Sequence, residues 1–220
     1  ENPHKAEEYR RLDSVLEAKA DLYEQFSSAS RNGQPDIIPV VFHILHQNGP
    51  ENISDEQVHD AIRVLNEDFQ LRNADAADIV PAFDSVAGDM NIAFRLAKLD
   101  PFGNRTSGIN RIETALAINA GEQSKSTIWD RSKYLNIWVV RSIASGAAGY
   151  TYFPSTAAGI PNRDGIIVLH DYVGSIGTGS LRRSHTITHE IGHWINLPHP
   201  WGFTNNPDRP SNCNSDDGVF

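Results

Sequence analysis

Residues Thr188–His199, THEIGHWINLPH, carry the side chains in this sequence best suited to chemistry: His189, Glu190, His193 and His199. On an α-helix each residue turns about 100°, so positions four apart lie about 40° from one another and present both imidazoles to one point. Neutral imidazole nitrogen binds Zn(II) at about 2.0–2.1 Å, and a catalytic zinc site keeps three protein ligands with one position open for water. Glu190, one residue round from His189, is placed to take a proton from that water without being a ligand. His199 completes the set only if the chain turns back after His193. Asn196 provides the turn, since Asn is the non-glycine residue that most readily adopts the left-handed conformation, and Pro198 blocks helical continuation. By composition alone, this pattern with its third histidine is expected roughly 0.001 times in such a chain.

Blander readings stand beside this one. The histidines could line a partly buried helix face without metal, or hold zinc without turnover. A third ligand could come from Asp208, Asp216 or Asp217, although no glutamate follows Glu190 to supply one. His185 lies on the same helix face, but a fourth ligand would close the site to water, so it reads as a helix-start residue near solvent. His43 and His46 read as packing or edge residues of a strand, and His170 is a candidate lining residue of the cleft.

These side chains need elements to position them. Tyr9, Leu12, Leu16, Tyr23 and Phe26 recur at helical steps, so residues 5–26 read as an amphipathic helix, and SSASRNGQPD (residues 27–36) reads as a linker. The stretch IIPVVFHILH (37–46) is apolar on both faces and reads as a buried strand. Ser54 and Gln57 form a Ser-x-x-Gln capping box ahead of Val58, Ile62, Leu65 and Phe69, which predicts a helix of about four turns. Further strands are expected around Ile92–Leu96, Leu135–Ile143, Tyr150–Phe153 and Gly165–His170, the last followed by a glycine-rich loop and the histidine helix. The sum is an α+β or α/β domain over residues 37–220 behind an N-terminal helix and linker, residues 1–36.

Composition bounds the rest. The 220 residues are 39% hydrophobic and 21% charged, enough for a packed core, and the single cysteine, Cys213, rules out a disulfide mini-protein. A net charge of -9 argues against nucleic acid or an anionic membrane as partner. No apolar run approaches the roughly 18–20 residues of a membrane span.

The histidine constellation resembles the metzincin metallopeptidases, whose extended motif is His-Glu-x-x-His-x-x-Gly-x-x-His, with Asn196 standing where the family usually has Gly. Within that group the chain is most similar to the pappalysin family, the ulilysin-like secreted enzymes. The likeness runs from about residue 37 through IPVVFHILH, ENISDEQVHDAIRVLNEDF, YLNIWVV, AGYTYFP, DGIIVLH, the histidine motif with its PWG, and NCNSDDGVF. It implies an α+β, metzincin-like catalytic domain: a twisted mixed β-sheet, a backing helix over Ser54–Phe69 and an active-site helix below the cleft. It also implies a secreted zinc endopeptidase acting on peptide or protein substrates, with His189, His193 and His199 on zinc and Glu190 as general base and acid. Gly165, Ile166, Ile167 and Val168 would form the cleft's edge strand, on which an extended peptide pairs.

Three further expectations follow from the resemblance. Asn212, Asn214, Asp216 and Asp217 crowd oxygen donors where relatives bind calcium, against the plainer reading of a solvated acidic loop. Metzincins carry a methionine turn beneath the metal, whereas the sole methionine here, Met90, lies far upstream. The chain is therefore expected to be an N-terminal portion of a peptidase whose C-terminal remainder is a partner, with Cys213 as half of a disulfide. Residues 1–36 read as a stabilising helix or a latency segment, with Asp36 as the side chain that could reach the metal.

Overall fold

The computed structural model describes residues 34–85 and 87–199, together with Arg11, Ser14, Val15 and Ala18. The helix expected over residues 5–26 therefore lies outside the described residues apart from those four. Asn212, Cys213, Asn214, Asp216 and Asp217 lie outside them entirely.

The longest strand, β1 (Asp36–His46), is buried continuously from Val40 to His46. Consecutive apolar residues are what a strand covered on both faces requires. Helix α1 (Asp55–Phe69) follows, then β2 (Ile92–Leu96), β3 (Ile109–Glu113), β4 (Leu135–Val140), β5 (Gly149–Tyr150), a short helix α2 (Pro154–Gly159), β6 (Ile166–Leu169) and α3 (Thr186–Trp194). The six strands form one sheet in the order β2-β1-β4-β6-β5, with β3 also paired to β1. All pairings are parallel except β5 with β6, so the sheet is mixed. One edge of β1 is shared in series: residues 36–40 pair with β2 and residues 42–46 with β3. β3 eluded the sequence reading because INRIE places its two isoleucines three apart and none of its residues is fully buried, so no two-residue alternation marks it.

Both major helices pack on the same face of the sheet. Val40, Phe42 and Ile44 of β1 meet Val58, Ala61, Leu65 and Phe69 of α1, and Ile187 and Ile191 of α3 join the same cluster. On the other face Leu45, Trp138, Val140 and Ile167 are covered by Ala117, Ala120 and Ile143. Residues Ala115–Ala117 and Glu122–Ser124 form single 3₁₀ turns there, in place of a helix.

Two sequence expectations are corrected. Ser54 Oγ does accept the Gln57 N–H at 3.2 Å, but the Gln57 amide turns to the glycine-rich loop instead of closing a capping box. Its Nε2 donates to the carbonyls of His170 (3.0 Å) and Val173 (2.8 Å), and its Oε1 accepts the Thr178 N–H at 3.0 Å. The run Gly165–Val168 is not an edge, because β6 pairs with β4 on one side and β5 on the other. Its unbroken apolar character is that of an interior strand, and the edge on this side is β5.

Candidate metal centre

Helix α3 is anchored by Ile187 and Ile191, one turn apart and both buried against the sheet, which turns His189 and His193 outward. The helix stops in a Schellman arrangement: Leu197 N–H donates to Gly192 C=O at 2.8 Å and Asn196 N–H to His193 C=O at 3.0 Å. Asn196 has φ of 80°, the left-handed conformation expected of it. The chain thereby reverses and brings His199 back over the helix.

The three Nε2 atoms converge. His193 lies 3.1 Å from His189 and 3.1 Å from His199, and the third side of the triangle is 3.3 Å. Four-coordinate zinc with bonds of about 2.0–2.1 Å sets its ligand nitrogens about 3.3 Å apart, so the triangle fits one such ion. These residues form a group that could hold a metal, each offering one ligand atom. Two features favour lone pairs over protons at the centre. His193 Nδ1 lies 2.7 Å from the Leu197 carbonyl, which keeps a proton on Nδ1 and frees Nε2. Partial desolvation, reinforced by the neighbouring His193 and His199, pushes the His189 imidazole below the ordinary histidine range although the ring still reaches solvent, so the neutral ligand form is favoured.

Glu190 is buried beside this triangle, and burial raises its carboxyl to about 7, opposed by a hydrogen bond from the Thr151 N–H. Edge strand β5 closes over it: a Cβ on Gly149 would sit 3.5 Å from Glu190 Cγ and 3.1 Å from the Ile167 carbonyl. Further ties fix α3 at both ends. At its start His185 Nδ1 meets Asp68 Oδ2 of α1 at 2.8 Å, and Thr188 Oγ1 donates to the same oxygen. At its end Trp194 Nε1 donates to Asp164 Oδ1 at 3.0 Å, while Arg131 Nε holds Asp164 Oδ2 at 2.6 Å.

The structure therefore brings together His189, His193 and His199 with Glu190 next in sequence, and sets His185 apart from them on Asp68. His170 is also apart, with Nδ1 3.1 Å from Thr178 Oγ1. His43 and His46 are buried in the sheet, as a packing role requires. Sequence reasoning missed Thr151, Gly149, Asp68 and Asp164. Asp164 and Asp68 carried no local signal, and Thr151 acts through a backbone N–H that any residue but proline supplies.

Comparison with known proteins bears on this geometry. A family model described as pregnancy-associated plasma protein-A matches residues 119–218, which span the edge strand and the histidine motif. A promirolysin variant from Tannerella forsythia superposes with a TM-score of 0.72 at 35% identity, covering 89% of this chain and 68% of that one. The chain belongs to the pappalysin family of metallopeptidases. A second pappalysin structure, mature mirolysin from the same organism in complex with a cleaved peptide, matches at 38% identity and a TM-score of 0.72. It covers 77% of this chain and 66% of its own. The mixed sheet with its helices is thus the fold of a pappalysin catalytic domain. Extracellular metalloproteases of Verticillium alfalfae and Colletotrichum graminicola are 29% and 28% identical over 72% and 74% of this chain. The chain spans about half the length of these curated relatives, 49% and 51%. No helix among the described residues is long and apolar enough to cross a membrane.

Proposed function

We propose that this chain carries the catalytic centre of a secreted, zinc-dependent endopeptidase that cleaves extended protein segments. The observation that carries this reading is the triangle of Nε2 atoms with sides of 3.1, 3.1 and 3.3 Å next to a buried glutamate. His189, His193 and His199 would hold the ion. When bound, zinc supplies Lewis acidity, lowering the pKa of a water and polarising the scissile carbonyl.

The chain's own residues do the rest. Glu190 takes the proton of the attacking water and returns it to the leaving amine; a carboxyl held near 7 by burial is suited to both transfers. The Thr151 N–H steadies the carboxylate between the two. A substrate in extended form adds to the free edge of β5, which lies directly over Glu190 and binds main chain without regard to side-chain identity. Folded segments, whose backbone groups are already paired, are poor substrates on this account. Residues 37–220 would form the catalytic unit, with residues 1–36 as an N-terminal helix and linker.

The deciding experiment compares the full-length polypeptide with its Glu190→Ala variant on a denatured protein substrate. Zinc stoichiometry should stay at one, while turnover falls by about 10³-fold, within the range general acid–base groups supply. Retained turnover in the variant would remove Glu190 from the reaction. Zinc bound at one equivalent without cleavage by either protein would identify a non-catalytic zinc-binding domain.

A further inference from the structure

Lys125 is buried, with its side chain fully out of solvent, on the sheet face opposite α1 and α3. A buried ammonium is costly unless well paired, and an apolar side chain of similar volume would serve stability as well or better. Its contacts are specific. Nζ donates to the carbonyls of Arg163 at 2.8 Å and Gly165 at 3.2 Å. It lies 4.9 Å from the Tyr152 ring centre, 5.1 Å from that of Tyr150 and 5.9 Å from that of Trp138, all within cation–π range. Tyr150 Oη donates to Glu122 Oε1 at 2.8 Å, and that oxygen is 3.9 Å from Lys125 Nζ.

Lys125 therefore grips both strands of the β5–β6 pair where they open. On the β6 side it holds Gly165, whose φ of 115° and whose missing Cβ, 2.5 Å from the Asn136 carbonyl if present, leave no room for adjustment. On the β5 side it holds the two tyrosines that flank Thr151. Thr151 Oγ1 donates to the same Gly165 carbonyl at 3.2 Å, and two residues earlier the β5 backbone lies against Glu190, where a Cβ on Gly149 would sit 3.5 Å from Cγ and 3.6 Å from Oε1. β5 pairs with β6 through only two residues, so the sheet ladder alone is a weak hold on this segment.

We propose that Lys125 is a positioning residue for Glu190: by clamping residues 150–152 onto the start of β6, it keeps the β5 backbone seated against the Glu190 side chain. This rests on the peptidase reading above for its effect on turnover, but the clamp itself is a statement about Thr151. The test uses the zinc-loaded full-length polypeptide and an extended peptide substrate. Lys125→Met should lower kcat about tenfold at unchanged zinc content, the size of effect that misplacing a reacting group produces, with a smaller change in KM because β5 also carries the substrate. In the same variant the Thr151 amide should exchange its hydrogen at least about tenfold faster, since the hold on it is gone. Tyr152→Leu, which keeps the lysine and removes one wall of its cage, should shift both readouts in the same direction by less, and it decides the matter if Lys125→Met does not fold. Leu96→Ala, a cavity in β2 at the opposite edge of the sheet from β5, should lower stability and leave kcat as it is.

An unchanged kcat, a change confined to KM, or an equal kcat loss in Leu96→Ala would overturn the proposal. So would unchanged exchange at Thr151. If the unaltered protein cleaves nothing, the peptidase reading falls, and Thr151 exchange alone then decides whether Lys125 holds the segment.

Discussion

Two parts of the molecule fix histidine rings in place, and they do so to opposite ends. In β1, His43 is fully buried, stacked 5.2 Å from Trp138, with Nε2 3.0 Å from Asn136 Oδ1 and Nδ1 3.3 Å from Asn110 Nδ2. The two amides fix one tautomer: Nε2–H donates and Nδ1 accepts. Desolvation lowers its pKa to about 4, so the ring is neutral and both nitrogens are committed. On α3 and the turn beyond it, three rings aim their Nε2 atoms at one another within 3.3 Å. The ring-to-backbone bond of His193 to Leu197 uses Nδ1 and leaves Nε2 pointing inward. Fixed ring orientation is common to both places, and burial is not: His189 is exposed, and His193 and His199 are half-buried. What distinguishes a metal centre from a packed core is where the lone pairs converge.

The largest effect expected from that contrast is on metal-linked stability. A ligand that binds only the folded state adds RT ln(1 + [L]/Kd), or about 4 kcal/mol when free zinc stands at about 1,000 times Kd. Urea unfolding with and without a chelator should show a loss of that order for the unaltered protein. His199→Ala should show almost no chelator response, and His43→Phe should show the full one. A chelator response that survives in His199→Ala would break the three-histidine centre, and one that vanishes in His43→Phe would erase the distinction between the two regions.

Next in size is the pH response of the core histidine. Its folded pKa, about 4, lies below the unfolded value near 6.5, so between these values the unfolded chain binds the extra proton. The stability tied to a neutral His43 is therefore present above pH 6.5 and is lost as pH falls toward 4, by about 3 kcal/mol. His43→Phe forfeits two hydrogen bonds at every pH, so the slope is the quantity to compare. Unfolding free energies of the chelated protein at pH 6.5 and 4 should differ by about 3 kcal/mol more than those of His43→Phe. Equal slopes would mean that His43 is not held neutral in the sheet.

The same contrast explains how much could be read from the residues alone. A metal needs particular donor atoms at particular steps, and such a demand is written locally, in His189, His193, the turn residue Asn196 and His199. The strands β1, β4 and β6 were legible because covered strands are largely apolar, and β2 because Ile92, Phe94 and Leu96 alternate. Strand order is not local, so the edge that the resemblance put at Gly165–Val168 lies one strand further out, at β5. Gln57 shows the limit within one residue. Its type and spacing fit a helix cap, yet its amide serves a loop more than a hundred positions away, bonded to His170, Val173 and Thr178. Thr151 and Gly149 were hidden for another reason: they act through a backbone N–H and through the absence of a side chain.

The smallest effect expected concerns the turn that separates a ligand from a mere helix histidine. At φ of 80°, Asn196 occupies a conformation that costs most residues roughly 1–2 kcal/mol and glycine almost nothing. Asn196→Gly should therefore keep both stability, to within about 1 kcal/mol, and zinc affinity. Asn196→Val adds a β-branched side chain where that backbone tolerates it least, and the helix should relieve the strain by unwinding its last turn. Leu197 is the residue that would move, and its two backbone groups do separate work: the N–H caps Gly192 and the carbonyl holds His193 Nδ1. Because cap and ligand orientation share Leu197, Asn196→Val should weaken zinc binding by a larger factor than its change in the chelated protein's unfolding free energy accounts for. The His43 pH slope should not change. Zinc affinity that follows stability one for one would mean that the turn only ends the helix and does not aim the ligands.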